Sequence, residues 1–473
     1  MTPQDATAPG RRPADATSRT PSPAARAHRA SRSRPHVHDV VVVGAGPSGS
    51  ACAYWLADAG WDVAVIEKKR FPRDKTCGDG LTPRAVRQLA DIGLEGALAG
   101  SHRHTGLRSY GWGLVLEMPW PDHPDFPPYG YTITRHDLDG IVVERAQKAG
   151  AVVHQHTEVL APLLADGASP LEAAAGAAPG VSASLPECSG VTVRDVASGE
   201  TRDVLGRYVV VADGSNSRVG RALGTERRRG YPLGMALRGY YRSERHDDPC
   251  IESHLDVRDP SGEPIPGYGW IFPLGDGRVN VGVGLLSTEQ RWKGVNTSRL
   301  MEAFVAGAPK SWGLSEQTSC GPPTGGKLPM GFAVGPRTGP NTIVVGDASG
   351  AINPFNGEGI AYGYETGRLA AASLSEALAG DGPAAISHYE ERLTAGYGDY
   401  YRVGRAFVRL ISNPTAMHWC VALGMRSETC MKELLRMMAN LMRPGAPGAA
   451  EIGYDALLRI AELMPERAAA LLS

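Results

Sequence analysis

The stretch VVVVGAGPSG, Val40–Gly49, joins a run of β-branched residues to a turn that contains three glycines. A helix-like segment, Pro47–Ala59, follows and is closed by Gly60, and Asp62–Ile66 is a second β-branched run. A strand, a helix and a second strand within about thirty residues form the βαβ unit of parallel sheets. The sequence therefore predicts an α/β protein whose first sheet begins at about Asp39.

The three glycines have the spacing of a dinucleotide-binding turn. Gly44 permits a tight turn, Gly46 lets the backbone approach a pyrophosphate, and Gly49 lets the helix pack on the strand. The first helical turn offers free N–H groups to phosphate oxygens. An acidic residue at the end of the second strand, Glu67, is the expected acceptor for ribose hydroxyls. The cofactor residues predicted from this unit are Gly44, Ala45, Gly46, Pro47, Ser48, Gly49 and Glu67.

Two later strands end in acidic motifs. Val209–Gly214 is apolar up to Asp213-Gly, and Thr342–Ala348 contains Gly346-Asp347 and precedes Gly357-Glu-Gly359-Ile360. These paired motifs resemble those of FAD enzymes of the para-hydroxybenzoate hydroxylase type, and the resemblance implies one bound FAD.

The resemblance also implies roles for residues around the flavin. The carboxylate of Asp347 would bind the ribityl chain, and the helix that starts after Gly359-Ile360 would point its N-terminus at the isoalloxazine. That positive helix end stabilises an anionic reduced flavin. Arg135 matches an arginine that lies near the flavin in this group, although a surface arginine is the alternative interpretation.

Two further segments indicate a reaction. One is the loop Cys77-Gly78-Asp79-Gly80, and the other is Tyr268-Gly-Trp270-Ile-Phe272-Pro. Together with LPMG at 328–331 and NVGVG at 280–284, they resemble the geranylgeranyl reductase family, and most closely its menaquinone β-reductase branch. The resemblance covers residues 39–440 apart from a low-complexity insertion.

The resemblance implies reduction of an isolated double bond in a polyprenyl chain, most closely the menaquinone side chain, with Cys77, Gly78 and Asp79 beside the flavin. Such an alkene has no carbonyl to accept charge, so an acid must protonate one carbon while the other receives hydride. Cys77, Tyr268 and water are the candidate proton donors. Trp270 is the third predicted catalytic residue. Tyr268, Trp270 and Phe272 alternate along a strand and so share one face, either as the wall of a prenyl tunnel or as ordinary sheet core.

Other functions remain open at this point. The same chemistry could act on geranylgeranyl diphosphate or a geranylgeranyl phospholipid. A flavin monooxygenase or halogenase on the same fold is a further alternative, since residues 268–273 partly resemble a halogenase motif. No second GxGxxG follows a strand, so we expect electrons from an external donor, either NAD(P)H or a reduced protein carrier.

We divide the chain by composition and patterning. The fold class expected is an FAD-binding Rossmann-like domain of the para-hydroxybenzoate hydroxylase type, with an inserted antiparallel substrate sheet and a helical C-terminal region. The parts are a disordered basic tail (1–38), the first part of the FAD-binding domain (39–234) with a low-complexity insertion (164–188), an antiparallel substrate-binding sheet (235–330), the second part of the FAD-binding domain (331–385) and a C-terminal helical region (386–473).

Composition limits the partners. The formal net charge of −1 gives no support for a nucleic-acid partner. The seven cysteines have no CxxC spacing, which favours the cytoplasm over an oxidising compartment. His102 and His104 lack ligand partners at metal-binding spacing, so we expect a solvated surface there and no metal site.

We expect no signal peptide and no transmembrane helix. A lipid substrate favours peripheral contact with the cytoplasmic face of a membrane.

Overall fold

The computed structural model describes residues 35–164, 184–265, 267–286, 296–443 and 448–463. The predicted basic tail, apart from residues 35–38, lies outside the described residues, as does most of the predicted insertion. The strands are β1 (Val37–Val43), β2 (Val63–Ile66), β3 (Gly80–Leu81), β4 (His102–His104), β5 (Gly106–Gly111), β6 (Leu114–Pro119), β7 (Gly130–Thr132), β8 (Val152–His154), β9 (Thr157–Leu164), β10 (Cys188–Asp195), β11 (Thr201–Val211), β12 (Glu226–Arg227), β13 (Leu233–Arg242), β14 (Cys250–His254), β15 (Gly267–Pro273), β16 (Arg278–Leu286), β17 (Thr324–Pro329), β18 (Val334–Gly335) and β19 (Thr342–Val344). The α-helices are α1 (Pro47–Asp58), α2 (Pro83–Asp91), α3 (Arg135–Ala149), α4 (Arg218–Ala222), α5 (Thr297–Gly307), α6 (Ile360–Glu376), α7 (Ser387–Leu393), α8 (Asp399–Ile411), α9 (Pro414–Gly424), α10 (Glu428–Met438) and α11 (Ala449–Leu463).

The first sheet has the order β8-β2-β1-β11-β10-β9, and β19 also pairs with β11. Pairing is parallel between β8 and β2, between β2 and β1, between β1 and β11, and between β11 and β19. Strand β10 pairs antiparallel with β11 and β9. All four valines of Val40–Val43 are buried, with alternate side chains in separate apolar clusters on the two faces of the sheet. A strand buried on both faces needs a continuous apolar run, which explains the valines.

Helices α1 and α6 pack through small residues. A Cβ at Gly367 would lie 2.3 Å from the Ser48 backbone oxygen, and one at Gly363 would lie 3.5 Å from Pro47 Cβ. Glycine at these two positions of α6 therefore lets its first turns approach the first turn of α1. The N-terminal ends of both helices consequently meet at one edge of the parallel sheet.

The second sheet has the order β17-β13-β16-β15-β14-β5-β6. Its pairings are antiparallel apart from the parallel pair of β14 and β5. Strands β5 and β6 come from residues 106–119, outside the predicted range 235–330. Local alternation does not reveal this pairing because Cys250 aligns with Gly106, far away in the chain. The division into domains stays a prediction.

The C-terminal helices cover one end of the second sheet. Met425, Met431 and Leu435 form an apolar cluster with Met118 and Trp120 of the sheet region. Methionine suits such an irregular contact because its side chain is unbranched and flexible. None of the helices in the described ranges is both long and apolar enough to cross a membrane.

Candidate active site

The glycine-rich turn leaves an open space in front of α1. Gly44 has a φ of +98°, and a Cβ there would lie 2.6 Å from the Ala212 backbone oxygen. A Cβ at Gly49 would lie 1.9 Å from the Gly44 oxygen, so the helix touches the strand at this point. At Gly46 the nearest atom to a Cβ is Arg73 Nη2 at 3.9 Å. Close contacts at Gly44 and Gly49 with space at Gly46 are the geometry that a pyrophosphate-binding turn requires.

The acidic residue at the end of β2 is held beside this turn. Glu67 Oε2 accepts a hydrogen bond from the Ala45 N–H at 3.1 Å and lies 3.4 Å from Arg73 Nη2. Arg73 Nη1 lies 3.0 Å from Asp139 Oδ2, so the guanidinium bridges two carboxylates. Arg73 places a cation next to Gly46, where a pyrophosphate would lie. The sequence pattern does not single out Arg73, because its partners come from two other elements.

The two acidic motifs at the strand ends line the same space. Asp213 Oδ2 accepts hydrogen bonds from the backbone N–H groups of Arg218 and Val219, and its Oδ1 is buried with no hydrogen-bond partner in the described part of the chain. Asp213 Oδ1 is therefore available to a ligand. At the end of the other strand, burial raises the pKa of Asp347, while nearby Lys75 and Arg135 lower it.

Arg135 is the first residue of α3 and is buried. Its guanidinium donates to both oxygens of Asp139 at 2.6 and 2.7 Å, and its backbone N–H donates to Asp79 Oδ1 at 3.2 Å. The surface alternative for Arg135 is thereby removed. Burial raises the pKa of the Cys77 thiol, and Arg135 beside it acts in the opposite direction. Cys77 is therefore a neutral thiol at pH 7 with a cation beside it.

A hydrogen-bond network fixes the loop that carries Cys77. Asp79 is fully buried with a φ of 63°, and its Oδ2 accepts from Tyr240 Oη at 2.6 Å and from Asn280 Nδ2 at 2.8 Å. Asn280 Nδ2 also donates to the Cys77 backbone oxygen at 2.9 Å, and Asn280 Oδ1 accepts from Trp270 Nε1 at 2.9 Å. The second sheet thus holds the loop through one asparagine.

The three aromatic side chains of β15 lie in a row. The Tyr268 and Trp270 ring centroids are 5.8 Å apart, and those of Trp270 and Phe272 are 6.3 Å apart. A Cβ on Gly80 would lie 3.0 Å from Phe272, so the row contacts the Cys77 loop. Tyr268 Oη donates to the Asn356 backbone oxygen at 2.5 Å. The row therefore bridges the Cys77 loop and the segment before α6.

These elements enclose one cavity of about 710 Å³. All the predicted cofactor residues except Ala45, Gly49 and Gly346 line it, and so do Tyr268, Trp270 and Phe272. Its far part is lined by apolar side chains of the C-terminal helices, including Met417, Val421, Met431 and Leu435. A polar end beside the glycine-rich turn and an apolar end thus belong to the same space.

Comparisons with known proteins identify this arrangement. A family model described as an FAD binding domain matches residues 37–236. The chain is 39% identical to a menaquinone reductase of Mycolicibacterium smegmatis over 85% of its own length and 92% of the relative. It is 41% identical to a menaquinone reductase of Mycobacterium tuberculosis over 85% of its length and 91% of that relative. The chain belongs to the menaquinone reductase family. Its cofactor is FAD.

One more distant relative and two solved structures are similar to most of the chain. A digeranylgeranylglycerophospholipid reductase of Methanopyrus kandleri is 28% identical over 79% of the chain and 90% of the relative. A geranylgeranyl bacteriochlorophyll reductase-like structure from Thermoplasma acidophilum superposes with a TM-score of 0.66 at 21% identity, covering 90% of this chain and 99% of that one. A flavin-dependent brominase superposes with a TM-score of 0.66 at 18% identity, covering 90% and 99%. The predicted fold class is confirmed.

The residues that line the polar end of the cavity fit FAD. The open space at Gly46, the cation of Arg73 and the free oxygen of Asp213 suit a pyrophosphate and polar hydroxyl groups. A Cβ at Gly359 would lie 3.1 Å from Asp347 Oδ1, so the loop approaches this carboxylate closely at a residue that has no side chain. Once bound and reduced, FAD supplies hydride.

One expectation about this family member is wrong. His104 does not lie on a solvated surface: it is fully buried on β4, and Trp120 Nε1 donates to its Nδ1 at 3.1 Å. Burial lowers the pKa of His104 to about 3, so the ring is neutral. His102 on the same strand is half-buried and lies 2.9 Å from the Asp248 backbone oxygen. The absence of ligand partners says nothing about burial, and a strand turns alternate residues to opposite faces, so His104 is buried while Arg103 beside it is exposed.

Proposed function

We propose that this enzyme uses reduced FAD to saturate a double bond in the isoprenoid side chain of menaquinone. The observation that carries the proposal is the continuity of the FAD-binding end of the cavity with an apolar end lined by aromatic and methionine side chains. Such a space can hold a prenyl chain with one alkene beside the cofactor. The relatives named menaquinone reductase support the same substrate.

The chain's own residues favour this chemistry by keeping the alkene site apolar. Trp270 directs its only polar group, the indole N–H, to Asn280 and presents hydrocarbon to the cavity. Exclusion of water there strengthens electrostatic interactions and prevents loss of reducing equivalents. In this proposal Trp270 and Phe272 bind the prenyl chain and hold the alkene in place.

Cys77 and Tyr268 lie next to the alkene site in this proposal. Burial, with contributions from Cys77 and Glu358, raises the pKa of Tyr268 to about 12, and its hydroxyl donates to the Asn356 backbone oxygen. Tyr268 is therefore a weak acid whose proton is already engaged. The neutral thiol of Cys77 is positioned by the Asn280 network, and we assign it to orienting the alkene beside the flavin.

Two partners complete the proposal. FAD is reduced by an external donor, NAD(P)H or a reduced protein carrier. The enzyme takes its lipid from a membrane surface through α9, which places Met417 and Val421 at the cavity. On the same helix Trp419 is 59% exposed and Leu423 is 61% exposed. A helix that lines the lipid cavity and also exposes large apolar side chains is suited to contact with lipid.

A geranylgeranyl phospholipid is the second candidate substrate. It is favoured by the digeranylgeranylglycerophospholipid reductase relative, which is similar over 79% of this chain. Both candidates place a prenyl chain in the apolar part of the cavity. They differ in the head group, which would lie beyond the alkene site.

The test is a single anaerobic turnover. The protein is reduced with dithionite, mixed with menaquinone bearing a fully unsaturated chain, and the lipid is analysed by mass spectrometry. A gain of two mass units confined to the prenyl chain supports the proposal. A gain only with geranylgeranyl phospholipid or diphosphate selects the alternative substrates. Inertness to all prenyl lipids with rapid oxygen consumption would instead indicate a monooxygenase.

A further inference from the structure

Glu358 lies at the junction between the FAD-binding residues and the aromatic row. It lines the cavity together with Tyr268 and Cys77. Its backbone is fixed from both sides, because its N–H donates to Asn356 Oδ1 at 2.9 Å and its carbonyl accepts from the Asn353 N–H at 2.9 Å. A side chain on so rigid a segment has a defined direction.

The two carboxyl oxygens of Glu358 have different surroundings. Thr82, the N-cap residue of α2, donates its hydroxyl to Oε1 at 2.5 Å. Oε2 is buried and has no hydrogen-bond partner among the residues that the structure describes. When the carboxyl group is protonated on Oε2, its proton therefore has no acceptor in the described protein and is available to a bound molecule.

The neighbouring charges do not turn Glu358 into an ion pair. Arg84 of α2 is the cation whose charge lowers the pKa of Glu358, but its Nε lies 2.7 Å from Glu365 Oε1 and its Nη1 donates to the Asn440 backbone oxygen at 2.9 Å. Tyr362 faces the same charges from α6, and Tyr268 faces Glu358 from β15. Among the residues that the structure describes, Glu358 thus has no ion-pair partner.

Its protonation suits proton transfer near neutral pH. Burial raises the pKa of Glu358 to about 7, and Glu365 adds to the rise, whereas Thr82, Arg84 and Asn356 lower it. The pKa of Tyr268 is about 12, and burial also raises the pKa of Cys77. A general acid works best when its pKa lies near the working pH. Of these three groups, Glu358 meets that condition.

We propose that Glu358 is the proton donor to the prenyl double bond, an inference that rests on the proposed function. The π-electron pair of the alkene takes the proton from Oε2, which leaves a carboxylate and a cationic tertiary carbon. That carbon takes up hydride from reduced FAD, which is thereby oxidised by two electrons. The double bond gains two hydrogens, and Glu358 regains its proton from water. Thr82 is a positioning residue that keeps the acidic proton on Oε2.

Glu358→Gln tests the proposal with little change in shape. The amide still accepts a hydrogen bond from Thr82 but cannot give a proton to an alkene. We expect unchanged FAD content and dithionite reduction, with lipid-dependent reoxidation slowed by about 10²-fold or more, the usual contribution of a general acid. The wild-type rate should fall as pH rises through about 7, because only the protonated carboxyl is active. The residual rate of the variant should lack this fall.

The Thr82→Val variant tests the role of Glu358 through the pH–rate profile, whose midpoint a purely structural role would leave unchanged. The Thr82 hydrogen bond lowers the pKa of Glu358, so its loss should raise that pKa and shift the midpoint of the rate profile to higher pH. A carboxyl infrared band, present in FAD-loaded wild type at pH 6 without lipid and absent from Glu358→Gln, should report the same pKa. Tyr268→Phe and Cys77→Ser should keep the wild-type midpoint.

The outcomes separate this inference from the proposed function. Wild type that saturates menaquinone while Glu358→Gln does so at the same rate overturns the inference alone. Loss of the pH-dependent fall in Tyr268→Phe or Cys77→Ser, but not in Glu358→Gln, also overturns it. Wild type that leaves every prenyl chain unchanged overturns the proposed function and this inference together.

Discussion

The side-chain amide of Asn280 donates a hydrogen bond to the Asp79 carboxylate at 2.8 Å, although 201 positions separate the two residues. Asn280 belongs to β16 of the second sheet, and Asp79 belongs to the loop after the first βαβ unit. One side chain therefore ties the proposed substrate sheet to the Cys77 loop. It also orients Trp270, whose N–H it accepts.

Asn280→Ala should destabilise the protein by about 2–4 kcal/mol, because it leaves the buried indole N–H of Trp270 without its acceptor and removes one of the donors to Asp79 Oδ2. Urea unfolding monitored by circular dichroism measures the change. Tyr240→Phe is the matched control, since it removes only one hydrogen bond from Asp79 and should cost roughly 1–2 kcal/mol. Equal stability of wild type and Asn280→Ala would contradict this account of the network.

Gly46→Ala and Gly49→Ala should fail in different ways. A Cβ at Gly49 would lie 1.9 Å from the Gly44 oxygen, so Gly49→Ala should unfold at a clearly lower temperature even without FAD. A Cβ at Gly46 meets nothing nearer than 3.9 Å, so Gly46→Ala should keep apoprotein stability but lose FAD affinity by tenfold or more. Thermal melts and flavin fluorescence titrations separate the two. Normal FAD binding by Gly46→Ala would refute the assigned role.

Arg73→Ala should raise the dissociation constant of FAD by about tenfold or more, because it removes a nearly buried cation beside the glycine-rich turn. Arg70→Ala is the control, since Arg70 lies in the same loop region but is exposed. Equilibrium dialysis of apoprotein with FAD gives both constants. If the two variants bind FAD alike, Arg73 acts only on its carboxylate partners and not on the cofactor.

The double variant Trp419→Asp, Leu423→Asp should bind vesicles containing anionic lipid at least fivefold more weakly than wild type. Each exposed apolar side chain is worth about 1.5–3 kcal/mol when buried in lipid. Co-sedimentation with the vesicles measures the bound fraction. Val196→Asp, at an exposed position in the turn between β10 and β11, is the control and should bind like wild type. Unaltered binding by the double variant would exclude α9 as the membrane contact.

The cofactor-binding half of the fold was predictable because its signals are local. The valine run, the glycine spacing and Glu67 all fall within Val40–Glu67, and the structure forms β1, α1 and β2 there. The aromatic alternation of β15 was equally visible, since it depends only on side-chain direction along a strand. What these residues contact was not visible.

Sequence patterns did not identify three residues whose roles depend on contacts between distant parts of the chain. Asn280 has an interpretable role only once β16 lies against the Cys77 loop. Glu358 was visible between two glycines, but its acidity depends on burial and on Thr82, Arg84 and Glu365 from neighbouring helices. The role of Arg73 depends on its contacts with the carboxylates of Glu67, which follows β2, and of Asp139 on α3. Such surroundings are assembled by tertiary packing, which no single window of sequence contains.

The shared cavity has a consequence for the kinetic order of the reaction. The glycine-rich turn, the aromatic row and the apolar end formed by the C-terminal helices line the same space. A small electron donor that enters through this space must leave before a prenyl chain can occupy it. Donor and lipid would then alternate on one enzyme, and double-reciprocal plots at different donor concentrations would be parallel lines. The prenyl lipid would also be a competitive inhibitor with respect to the electron donor.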